Sequence, residues 1–154
     1  MKKNAIAAAL SAVLLSGCLP FSPFASSGSL YAGYHQSFGT YVTSSKVNAF
    51  CLSPKLRTLI WDFENHFGRK IVMNSGYRDP FHNFSVGGAS SSYHTKCMAA
   101  DFFIPGIDKR KLIAYAARNS KVGGLGCYPG RNFIHVDVRD RPHGWRKPVT
   151  FSGC

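Results

Sequence analysis

Hydrophobic positions fall at helical spacing in one long stretch, "SPKLRTLIWDFENHFG", where Leu56, Leu59, Ile60, Phe63 and Phe67 make a single stripe. Ser53 stands where an N-cap belongs, Pro54 suits the first helical position, and Gly68 supplies the stop. A second, shorter helix is predicted from an Asp108 cap to about Arg118. Between and after these helices the period changes to two. "AADFFI" puts Asp101 and Phe103 on one face and Ala100, Phe102 and Ile104 on the other. "FIHVDVR" alternates likewise, with Ile134, Val136 and Val138 opposed to Phe133, His135 and Asp137. "RKIVMNSGYRDP" reads as a short strand running into a turn, "GASSSYH" as a small-residue loop, and "KVGGLGCYPG" as a glycine-rich strand or turn. Helices interspersed with short strands predict a small, single α+β domain.

Composition sets the limits of that domain. The first 17 residues carry Lys2 and Lys3, the apolar run "AIAAALSAVLL" and then "LSG" before Cys18, the pattern of an export signal too short to span as a membrane helix. Small residues before a cysteine resemble a lipobox, which implies a lipid on Cys18. Residues 18–46 are rich in Ser, Gly and aromatic residues and contain no acid, which predicts a lipidated tether with the folded domain at 47–154. Of five cysteines, Cys18 set aside leaves Cys51, Cys97, Cys127 and Cys154, an even set suited to an oxidising compartment. Four cysteines allow three connectivities; Cys51 with Cys97 and Cys127 with Cys154 is the pairing taken forward, and the other two stay open.

Charge narrows the partners. The chain has 19 Lys and Arg against 7 Asp and Glu, a formal +12, and it stays strongly basic once Lys2 and Lys3 leave with the signal. Such a surface attracts polyanions, and export makes an anionic envelope polymer or lipid headgroup the expected partner rather than nucleic acid.

The candidate chemistry sits where charge meets apolar sequence. Asp101 lies inside "MAADFFIP", where an unpaired carboxylate is costly to bury, His94 stands seven residues upstream, and His135 and Asp137 share a face inside a second apolar run. Two imidazoles and a carboxylate make the donor set of a catalytic zinc site, with one position left for water. A hydrolase also needs a base, and among the few acids Asp137 is the best-placed spare carboxylate. The competing reading pairs Asp101 and Asp137 with arginines and leaves the histidines ordinary. No G-x-S-x-G elbow supports a serine hydrolase, and Cys97 reads as half of a disulfide rather than as a thiol nucleophile or fourth ligand.

Taken in order, "SGYRDPFHN", "GGASSSYHTKCMAADFFIPG", "GGLGCYP" and "FIHVDVRDRPHGW" resemble the zinc D-Ala-D-Ala metallopeptidases, the group that also includes lysostaphin and sonic hedgehog. The nearest likeness is to the exported bacterial peptidoglycan carboxypeptidases and murein endopeptidases, over roughly Cys51 to Trp145. The resemblance implies a hedgehog-like α+β domain with a short, mostly antiparallel sheet, flanking helices and disulfide staples. It implies Zn2+ on His94, Asp101 and His135, a substrate-steadying Arg78, and Ser92 at the substrate or shaping the loop. The implied activity is zinc-dependent hydrolysis of D-amino-acid peptide bonds in peptidoglycan stem peptides or crosslinks, in cell-wall remodelling. The alternative is a noncatalytic, zinc-containing lipoprotein that binds peptidoglycan.

Two departures from the family pattern bear on that choice. Cys97 replaces a glycine beside the ligand loop, and Asn132 stands three residues before the last histidine, where many relatives carry their catalytic acid. Asp137 is then either the substitute base or the group that orients His135. By resemblance to lipoprotein sorting, Leu19 after Cys18 lacks the inner-membrane retention mark, which predicts the periplasmic side of an outer membrane.

Overall fold

The computed structural model describes residues 30–154. The predicted export signal, Cys18 and the first part of the tether lie outside the described residues. The described chain forms seven strands, three α-helices and one 3-10 turn. The strands are β1 (His35–Ser37), β2 (Thr40–Val42), β3 (Val72–Ser75), β4 (Ala99–Phe103), β5 (Gly124–Gly126), β6 (Ile134–Asp137) and β7 (Val149–Phe151). The helices are α1 (Pro54–Phe67), α2 (Pro80–Ser85) and α3 (Lys109–Arg118), and the 3-10 turn is Tyr93–Lys96. All seven strands join one sheet in the order β1-β2-β3-β4-β6-β5-β7. The sheet is mixed: β2 with β3 and β5 with β7 run parallel, and the other four pairs are antiparallel.

Helix α1 forms as its sequence dictates. Ser53 Oγ accepts from the Leu56 amide, Pro54 begins the helix, and Gly68 closes it at φ 62°. Its apolar stripe enters one continuous core with Ala100, Phe102 and Ile104 of β4, Ile134 and Val136 of β6 and Leu112 and Ala116 of α3. The Phe63 ring meets Phe102 edge-on at 5.0 Å. With this face of the sheet closed by helices, the opposite face carries Asp101, His135 and Asp137.

The sheet starts before residue 47, which corrects the boundary drawn for the tether. β1 and β2 pair as a hairpin whose turn residues, Phe38 and Gly39, both have positive φ. β2 then pairs with β3, Val42 is buried, and Tyr31 stacks on Tyr41 while donating to the Lys70 carbonyl. Strands of three residues with an aromatic in the turn carry too little alternation to be read locally. The three-residue β7 is hidden for the same reason, and α2, six residues long, is too short to show a helical stripe.

Two disulfides close the domain. Cys51–Cys97 ties the approach to α1 to the end of the 3-10 turn, and Cys127–Cys154 ties β5 to the C-terminus. Beside the first bond the Ser53 amide donates to the Cys97 carbonyl at 2.8 Å.

Candidate metal centre and cleft

β4 and β6 place Asp101 directly opposite His135, and Ala99 opposite Asp137. Cross-strand neighbours on one face of an antiparallel pair are close enough for their side chains to touch, and the His135 Nδ1 to Asp101 Oδ1 distance is 2.8 Å. His94 arrives from the 3-10 turn, which Ser92 caps by accepting from the His94 amide. His94 Nε2 lies 3.2 Å from both Asp101 Oδ1 and His135 Nδ1. One donor atom from each of these three buried residues falls within 4.8 Å of the others.

The far side of His94 fixes its tautomer. His94 Nδ1 lies 2.6 Å from the Gly76 carbonyl, which only accepts, so the proton is on Nδ1 and Nε2 keeps its lone pair. His135 lies between two carboxylates, with Nδ1 2.8 Å from Asp101 Oδ1 and Nε2 3.2 Å from Asp137 Oδ2; a proton on Nε2 donates to Asp137 and leaves the Nδ1 lone pair turned inward. With the ring protons so placed, two nitrogen lone pairs and a carboxylate oxygen converge, an arrangement that repels itself unless a cation joins it. Zinc fits this donor set.

Electrostatics agree with the geometry. Burial alone would raise the Asp101 pKa, but the imidazoles of His135 and His94, which pair with the carboxylate once a proton joins the cluster, hold it well below the usual carboxylate range. At His135 burial favours the neutral ring, yet the Asp101 and Asp137 carboxylates outweigh it and raise the pKa. The site therefore draws positive charge, whether a proton or a metal ion.

The arginine pairing and the donor cluster, posed as alternatives by the sequence, occur together. Arg78 Nη2 donates to Asp101 Oδ2 at 2.8 Å, and its Nε donates to Ser75 Oγ. Asp101 thus offers one oxygen to the imidazoles and the other to a guanidinium. Asp137 is fully buried and does not line the cleft. Its Oδ1 accepts from the Arg139 amide and Nε, and its Oδ2 accepts from Arg139 and His135. Burial pushes its pKa up, but the His135 and Arg139 bonds prevail and bring it down to about 2. The glycine-rich strand gives this cluster room: a Cβ on Gly124 would stand 2.3 Å from Asp137 Oδ2, and one on Gly126 would stand 2.7 Å from the Phe151 ring.

The donors form the floor of an open cleft of about 880 Å³ that Arg78, Ser92, Tyr93, Tyr128 and Phe151 also line. His82 lines it from α2, whereas Asn132 and His143 are exposed and stand apart from it. Arg139 is the residue that sequence reading missed most plainly. It packs over Tyr93 at 4.2 Å while holding Asp137, and the alternation of "HVDVR" already placed it on the face of His135 and Asp137. Tyr128 and Phe151 gave no comparable signal, since β7 reaches the site only by its distant parallel pairing with β5.

The sheet thus gathers two imidazoles and a carboxylate that could hold a metal ion under an open cleft. The chain belongs to the Peptidase M15 family, whose model matches residues 35–137. This agrees with the resemblance carried by the motifs. It is 39% identical over 80 residues to the peptidoglycan L,D-endopeptidase MepK of Escherichia coli K12, a match covering 49% of this chain and 43% of that protein. It is 35% identical over 95 residues to the probable peptidoglycan L,D-endopeptidase MepK of Haemophilus influenzae, covering 56% of this chain and 50% of that protein. The chain spans half or less of the length of these relatives. Among the described residues no helix is long and apolar enough to cross a membrane.

Proposed function

We propose that this chain is a zinc-dependent peptidase that hydrolyses peptide bonds in peptidoglycan stem peptides, with a crosslink as the preferred target. The observation that carries the reading is the convergence of three lone-pair donors, from His94, Asp101 and His135, at the floor of an open cleft. Bound there, zinc would polarise the scissile carbonyl and acidify a water. The family supports a peptidase, and the activity named for the relatives favours an endopeptidase acting between L and D centres over a D,D-carboxypeptidase.

The remaining roles follow from position. Arg78 is held by Ser75 and Asp101, which leaves other N–H groups of its guanidinium for a substrate carbonyl or carboxylate. Ser92 shapes the turn that delivers His94. Asp137, sealed from the cleft with both oxygens engaged, orients His135 and does not take a proton from water. We assign the proton to His82, an imidazole that lines the cleft and makes no side-chain hydrogen bond among the described residues. The strongly basic chain suits an anionic wall polymer. Export, a lipid on Cys18 and anchoring at the periplasmic face of the outer membrane complete the proposal.

A noncatalytic wall-binding protein is the second reading. It is favoured by one observation: Asp101 is the only carboxylate on the cleft lining among the described residues, and it is already a ligand candidate. Crosslinked and uncrosslinked muropeptides incubated with the domain, with and without a chelator, separate the two. Chelator-sensitive splitting of crosslinked dimers is the expected result. Intact muropeptides from a folded, zinc-loaded sample, together with retained wall binding, would establish the second reading.

A further inference from the structure

Arg131 differs from the other arginines of the cleft. Arg78 is paired with Asp101 and Arg139 with Asp137, so both guanidinium groups are committed to the floor of the site. Arg131 lines the same cleft, is exposed, and its side chain has no hydrogen-bond or ion-pair partner among the described residues. No acid in the chain is left to pair with it by default. The seven are Asp62, Glu64, Asp79, Asp101, Asp108, Asp137 and Asp140, and none lies within residues 1–29. Asp62, Glu64, Asp108 and Asp140 are engaged by Lys121, Lys70, Arg110 and Lys55, and Asp79 caps α2.

The backbone under Arg131 is fixed. Its amide donates to the Tyr128 carbonyl at 3.1 Å and closes a turn. Lys109 Nζ, from the first turn of α3, donates to the Tyr128 and Arg131 carbonyls, both at 2.8 Å. Tyr128 at φ 44° and Gly130 at φ 77° both adopt left-handed backbone, and Cys127–Cys154 anchors the turn at its start. A partly buried lysine thus holds an exposed turn through two carbonyls, and the turn brings to the mouth of the cleft a guanidinium with no partner among the described residues. A guanidinium in that position binds a planar anion through two parallel N–H bonds.

We infer that Arg131 is a specificity-determining residue that binds a carboxylate of the substrate peptide away from the scissile bond. The inference rests on the peptidoglycan reading above, and stem peptides offer such a group at glutamate, at diaminopimelate and at the C-terminus. Each would take the same fork of donors, and a peptide with that carboxyl amidated would lose the contact.

The test uses stem peptides with free carboxylates and three partners, each amidated at one of those positions. Binding to zinc-loaded protein is read by calorimetry and cleavage by chromatography. In the wild type the free peptide is expected to bind about 10- to 100-fold more tightly than one of the amidated forms. In Arg131→Gln that ratio falls to about one, and Arg131→Lys restores part of it. The amidated position that matters identifies the carboxylate. Since only the Arg131 backbone builds the turn, both variants should melt with the wild type. Equal binding of all four peptides by the wild type overturns the inference, as does a ratio that survives Arg131→Gln. Cleavage without discrimination leaves the peptidase reading standing and removes this one. Discrimination by Arg131 without cleavage does the reverse.

Discussion

Asp101 and His135 face each other across neighbouring antiparallel strands, 2.8 Å apart, and Arg78 holds the second Asp101 oxygen at the same distance. That one contact joins the sheet to the chemistry. β4 and β6 are the strands whose other faces fill the core, so packing fixes the relative position of the two donors before any ion arrives. His94 is the contrasting donor, since it comes from a 3-10 turn held by a cap and a disulfide rather than by the sheet.

Metal removal should therefore destabilise the fold as well as stop the reaction. An ion that binds the folded state at about a hundred times its dissociation constant adds about 2.7 kcal/mol. In a domain of this size that corresponds to a melting point lower by about 10 °C after chelation. Calorimetry with and without a chelator, then with zinc restored, measures it. The midpoint should return with about one zinc per chain. A midpoint indifferent to chelation in protein that arrives with zinc would refute a resident ion at these donors.

Asp137 and His82 separate by their response to zinc. Asp137→Asn keeps the size of the side chain but weakens the acceptor for His135 Nε2–H and removes the charge opposite Arg139. Zinc affinity should fall about 10- to 100-fold, with much of the activity recovered at saturating zinc. His82→Gln should retain zinc and lower kcat by about 100-fold. If instead Asp137→Asn holds zinc normally and is inactive, Asp137 is the base after all. Metal titration beside turnover, on the same preparations, distinguishes the two.

What the sequence carried follows from physical range. Alternation in "AADFFI" and "FIHVDVR" fixed which side chains share a face, because period two survives any tertiary arrangement. The strand adjacency that puts Asp101 opposite His135 is not local, and only the ordered family motifs implied it. Burial of Asp137 was invisible for a related reason: its neighbours across the sheet include Gly124, and the empty side of a glycine has no sequence signal beyond the residue itself. The hairpin at 35–42 was hidden by composition, since Ser, Gly and aromatic residues mark a tether and a twisted two-residue turn alike.

Gly124→Ala tests the room that β5 leaves. The added Cβ would meet Asp137 Oδ2 at 2.3 Å and Arg139 Nε at 2.8 Å, two atoms locked to each other and therefore slow to yield. The expected cost is about 1–3 kcal/mol of stability. Zinc affinity should fall as well, because displacing Asp137 tilts His135. Urea unfolding and zinc titration give the two numbers. Unchanged zinc affinity in a destabilised variant would show that Asp137 does not position the imidazole.

The Cys51–Cys97 bond supports the third donor. Cys97 follows the His94 turn at φ 58°, its amide donates to the His94 carbonyl at 3.3 Å, and its own carbonyl takes the Ser53 amide at the entrance to α1. Replacing both cysteines by alanine opens a loop with a sequence separation of 46 residues and should cost about 2–4 kcal/mol. The same pair removed at Cys127–Cys154 is expected to cost a similar amount, with a separation of 27 residues. The two should differ in their effect on the site. Loss of Cys51–Cys97 frees the turn that carries His94 and should weaken zinc binding, whereas loss of Cys127–Cys154 loosens the turn below Arg131 and should reduce discrimination among substrates first. Equal effects of both variants on zinc affinity would mean that His94 is held by its cap and the Gly76 carbonyl alone.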